Sequence, residues 1–180
     1  MSLEFTKEQR AILINQMEIL KKLDKANEKE YEQKIYALYN GFSRTYSEFF
    51  GEIEEDLDME VQEMVYDVFN MYRSLKNSFD ELSSEEQEQI NKDELRFKGY
   101  SGHTEAAYLQ FANFVVLQLG KYPEIKRLID SGKLESLDSI DSRLSDYKEM
   151  LPVWKHCKKM KENQLNSDLS LEDIKEILGK

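Results

Sequence analysis

One apolar series constrains this chain more than any other feature. Val61, Val65, Val68, Tyr72, Leu75, Phe79 and Leu82 recur at alternating steps of four and three residues. Only a helix brings residues so spaced onto one face, so the series predicts a helix of about six turns with a narrow apolar seam. Such a seam packs either inside the fold or against a second copy of the chain, the core being the simpler destination. The rest of the sequence agrees with helix. Its 180 residues include two prolines and seven glycines, too few turn formers for a β-rich domain, and no alternating β-branched run reads as a strand. The expected fold class is all-α and multihelical, in one domain over 1–180.

Start and stop signals divide the remainder. Thr6 with Gln9 forms a capping box, followed by Ile12, Leu13, Met17, Leu20 and Leu23 at helical spacing. Asn27 with Glu30 repeats the signal before Tyr31, Ile35, Leu38 and Phe42, with Gly41 as the stop, so two antiparallel helices are expected. Ser84 with Gln87 starts a short helix. The segment 106–120 is apolar on nearly every side, which predicts a surrounded, central buried helix. Pro123 suits the first position of a brief helix stopped by Gly132. A Ser/Asp-rich connection within 121–142 is the best place for a boundary between two lobes. Ile140, Leu144, Tyr147, Leu151 and Trp154 mark a long helix that Pro152 should kink or break, and Ser170 with Asp173 caps the last one.

The formal charge of -11 repels nucleic-acid phosphates and anionic lipid heads, so both are disfavoured as partners. A single cysteine, Cys157, excludes an internal disulfide framework and suits a reducing cytoplasm. The amino terminus lacks the pattern of a signal peptide, and residues 1–3 fit a native start and a cloning remnant equally well. The longest uncharged run, Ala106 to Gly120, falls short of the roughly 20 apolar residues of a membrane span.

Chemistry is harder to find. GYSGHTEAAY, residues 99–108, has the ingredients of a catalytic loop, but His103 stands where a nucleophile elbow needs its last glycine, and no strand precedes it. A loop with permissive glycines leading into a helix, with Glu105 near its positive end, is the better reading. Asp56, Asp58 and Glu60 alternate like calcium ligands, yet Val61 occupies the position that needs glycine, and an acidic helix start is preferred. His103, His156 and Cys157 match no metal spacing, and neighbours on a helix point about 100° apart. Cys157 beside lysines is either a lowered-pKa nucleophile or, more simply, a buried packing thiol. Lys155, Lys158, Lys159 and Lys161 form the one basic cluster, an anion site or a helix C-terminus complementing the dipole. No catalytic residue, metal ligand or cofactor is assigned.

Three stretches, EQRAILINQMEILKKLD, RFKGYSGHTEAAYLQF and EMLPVWKHC, carry a resemblance together with MYRSL. In that order the chain resembles the YfbU-like bacterial proteins, a family without an established activity. The resemblance implies two helical subdomains, a homodimer and a bacterial cytoplasm, and brings no catalytic residues.

Two functional readings follow. The first is a non-enzymatic dimeric module acting through protein–protein contacts with a partner still to be named; the seam and the aromatic supply motivate it. The second is an enzyme or small-ligand binder with a pocket between the lobes, lined by Arg10, Asn15, Gln16, Glu105 and Trp154, polar groups on otherwise apolar faces.

Overall fold

The computed structural model describes residues 3–51, 55–161 and 168–180, and it is all-helical, with no strand among the described residues. It divides into two compact units, 1–56 and 57–180. The connection 121–142, expected to hold a lobe boundary, lies inside the second unit.

The first unit is built on a helical hairpin. Helix α1, Lys7–Leu23, starts as the sequence predicts: the Gln9 amide donates to Thr6 Oγ1 at 3.2 Å and the Thr6 amide to Gln9 Oε1 at 2.8 Å. A 3₁₀ turn, Lys25–Asn27, leads into α2, Glu28–Asn40. Asn27 does not cap α2 as expected. Its Nδ2 donates to Asp24 Oδ2 at 2.9 Å, so the side chain is spent on closing the turn. Gly41, at φ 71°, ends α2 in the left-handed conformation that glycine adopts without a Cβ clash. A short α3, Tyr46–Phe50, completes the unit. Its interior is small: Met17, Leu38 and Tyr46, with Leu13, Ile14, Tyr31 and Ile35 against them.

The second unit is organised by α4, Met59–Glu81, which Asp58 caps by accepting the Glu60 amide at 2.9 Å. The acidic stretch is therefore a helix start. The seam goes into the core: Val65, Val68, Tyr72, Leu75 and Phe79 are buried, and Phe69, Met71 and Ser78 beside them widen the buried face. With this face covered, the seam is unavailable to a second copy.

After α4 comes α5, Ser84–Gln87, whose capping box is Ser83 with Glu86, one residue earlier than the expected pair. Helix α6, Ala106–Asn113, continues as a π turn over Phe114–Gln118. This segment is not the surrounded central helix that its composition suggests. Ala112, Val115 and Val116 are buried, but Phe114, Leu117 and Leu119 stand 47 %, 48 % and 47 % exposed. The interior can cover one side of only so many helices, and α4 takes the central place. Pro123 opens α7, Pro123–Asp130. Helix α8, Leu144–Lys161, runs through Pro152 without ending. Pro152 and Lys148, whose carbonyl loses its helical donor, both lie on the exposed side, while Tyr147, Leu151 and Cys157 anchor the buried one. Ser170 and Asp173 box the start of α9, Leu171–Ile177.

Candidate functional site

The loop 99–105 resolves into a clasp. Gly99 takes φ 91°, and a Cβ there would meet the Leu137 carbonyl oxygen at 2.6 Å. The close approach serves a short backbone pairing, in which the Tyr100 amide donates to Leu137 O and the Ser139 amide to Tyr100 O, both at 2.9 Å. Asp138 accepts the Gly102 amide at 2.8 Å. The Tyr147 hydroxyl then reaches from α8 to the Gly99 carbonyl at 2.8 Å.

Glu105, 3 % exposed, holds the other end. Its Oε2 accepts the Ser101 amide at 2.8 Å. Its Oε1 accepts the amides of Arg143 at 2.9 Å and Leu144 at 2.7 Å, together with the Ser142 hydroxyl. Burial alone would raise this carboxyl's pKa, but the donors from Ser142, Ser101, Leu144 and Arg143 outweigh it and hold the group below its ordinary value. Glu105 thus caps α8 from a distance in sequence. Both of its oxygens are engaged by the fold.

The other chemical candidates separate. His103 and His156 are exposed. Cys157 is buried, and burial first, then the carboxylates of Asp173 and Glu176, push its thiol up, away from the thiolate a nucleophile needs. Lys158, Lys159 and Lys161 sit in the last turn of α8, where cations complement the dipole; Lys161 pairs with Asp173 at 2.9 Å.

Of the five residues expected to line a pocket, Arg10, Asn15 and Gln16 belong to the first unit and Glu105 and Trp154 to the second. Arg10 Nη1 donates to Leu38 O at 3.0 Å, under Gly41, where a Cβ would lie 2.7 Å from it. Asn15 and Gln16 are exposed on α1. Trp154 packs against the core with its Nε1 buried and lacking a hydrogen bond, as is Arg10 Nε.

Two cavities of the second unit share Tyr72 as a wall and differ in charge. One, about 510 Å³, meets four carboxylates, Glu94, Asp146, Glu149 and Glu176, against Lys98 and Arg143. The other, about 240 Å³, reverses the balance with five cations, Arg73, Lys76, Lys92, Arg96 and Lys133, against Asp80 and Glu124. Its floor is apolar, made by Phe79, Leu95, Phe97, Ile125 and Leu128. Tyr122, at φ 54°, positions one side: its hydroxyl donates to Asn70 at 2.9 Å, and the Arg73 guanidinium lies 4.3 Å from its ring centroid. Sequence reasoning missed these cations. They spread over some sixty positions, and only Arg73 and Lys76, one helical turn apart, offered a local signal.

A family model describing a YfbU domain matches residues 3–179. A UPF0304 protein of Actinobacillus succinogenes is 30 % identical over 177 residues, covering 98 % of this chain and 99 % of its own. One of Methanocaldococcus jannaschii is 29 % identical over 176 residues, 97 % and 98 % of the two chains. A third, of Pasteurella multocida, is 30 % identical over 177 residues, again 98 % and 99 %. None of these names carries an activity.

Proposed function

The chain belongs to the YfbU family, and on that premise we propose that it is a non-enzymatic helical module that acts by binding proteins, first of all a second copy of itself. The observation that carries this reading is the outer surface of the helical hairpin. Ile12, Ile19 and Leu23 repeat at seven and four residues along α1, on a side the small interior does not use, and Leu23 is 78 % exposed. On α2, Tyr36 and Tyr39 are likewise outward, Tyr39 at 79 %. Outward apolar and tyrosine side chains of this kind mark protein contacts, because covering them removes apolar area from water while tyrosine keeps a polar tip for the rim. The single buried cysteine suits residence in a reducing cytoplasm.

Sedimentation of the purified chain at tens of micromolar tests the proposal. A dimer that becomes monomeric in Leu23→Lys and Tyr39→Lys, with helical circular dichroism kept, is the expected result. A wild-type chain that sediments as a monomer throughout that range refutes self-association.

A small-ligand reading is the alternative, favoured by the buried indole N–H of Trp154, one of several buried donors lacking a hydrogen bond. As the chain has one tryptophan, its fluorescence reports directly on any compound that binds beside it. A metabolite screen leaving that emission unchanged removes this reading.

A further inference from the structure

We propose that the cation-lined cavity between α4, α7 and the 92–97 segment binds a small amphipathic carboxylate, a medium-chain fatty acid being its simplest representative. The proposal is independent of the contact surface on the hairpin. Its first support is charge. A chain with formal charge -11 gathers five cations around one cavity whose two carboxylates are already taken: Glu124 pairs with Arg73 Nε at 2.6 Å, and Asp80 pairs with Lys76. Arg96 pairs outward with Asp93 at 2.7 Å. That leaves Lys92 and Lys133 without an ion-pair partner among the described residues. Lys92 stands 5.4 Å from the Phe79 ring centroid, poised over the apolar floor. Two ammonium groups without a carboxylate partner, lining the same cavity as aromatic and aliphatic side chains, suit a ligand with one anionic end and an apolar body.

Size and sign narrow the class. The volume, about 240 Å³, is below the usual range for drug-sized ligands and suits a small ligand of about ten non-hydrogen atoms. A polyanion such as a nucleotide phosphate is disfavoured by the surrounding negative field and has nothing to place on Phe79, Ile125 and Leu128. A cationic amphiphile meets the wrong charge. A monocarboxylate with a short tail satisfies both ends, its head at Lys92 and Lys133 and its tail on the floor.

Isothermal titration of the chain at low ionic strength, using sodium octanoate, sodium acetate and octylammonium chloride, tests this directly. Octanoate is expected to bind saturably with Kd below about 1 mM, weakening with added salt, while acetate and octylammonium give no saturable signal. The double substitution Lys92→Gln/Lys133→Gln, at exposed positions that leave the fold intact, is expected to weaken octanoate at least about fivefold. Lys98→Gln, beside the acidic cavity, leaves it unchanged. Octylammonium binding as tightly as octanoate, no octanoate binding to the wild-type chain, or an unaltered Kd in the double variant would each overturn the proposal.

Discussion

Glu105 accepts four hydrogen bonds in a buried turn, and this makes a single carboxylate a pH-dependent joint. Its pKa in the folded chain lies below the ordinary 4.5. A depressed carboxyl contributes stability that is present above its unfolded pKa and lost as pH falls through the folded one. Glu105→Gln places an amide donor among donors, and is expected to cost about 3 kcal/mol at neutral pH by denaturant titration. The gap between wild type and variant should narrow below about pH 4.5 as the native carboxyl protonates; a gap of the same size at pH 7 and pH 3 contradicts the assignment. At this scale the sequence was partly legible. Glycines 99 and 102 marked a loop with permissive backbone, and a glutamate at a helix start was expected. What could not be read was its partner, because Ser142, Arg143 and Leu144 lie nearly forty residues away.

At the scale of elements, local signals served where the competing registers differ in free energy and failed where they do not. Thr6 with Gln9 and Ser170 with Asp173 are as read. At α5 two serines stand side by side, and the structure uses Ser83 with Glu86. Ser83→Ala should therefore cost about 1 kcal/mol and Ser84→Ala only a few tenths, measured by urea denaturation; equal costs would show that the cap is shared. Pro152 teaches the complementary lesson. A missing amide is tolerated on an exposed helix face when the opposite face is anchored, so a proline in a long amphipathic pattern does not have to end it. The segment 106–120 fails in the other direction. Apolar composition measures what would gain from burial, whereas the number of faces the interior offers is a property of the whole packing.

For the whole molecule, the two units differ in how much interior each possesses. The second encloses an aromatic cluster in which Phe97 lies 5.1 Å from Phe69 and 5.4 Å from Tyr100, with Tyr147 5.4 Å from Tyr100. The first buries little beyond Met17, Leu38 and Tyr46. Opening costs follow buried contacts, so native-state hydrogen exchange should show α4 amides protected to the global limit and α1 and α2 amides exchanging sooner. If the hairpin is the contact between copies, its protection rises with protein concentration while that of α4 does not; protection independent of concentration speaks against that contact.

The sequence by itself determined the helical class, most helix limits, and the common face shared by the residues spaced four and three apart along α4. These rest on interactions within a few turns of one helix, which spacing encodes. Which helix became central, that Glu105 caps α8, and that five cations gather about one apolar floor were decided only by the tertiary structure. Each depends on groups far apart in the chain meeting in space, and no local period records such a meeting.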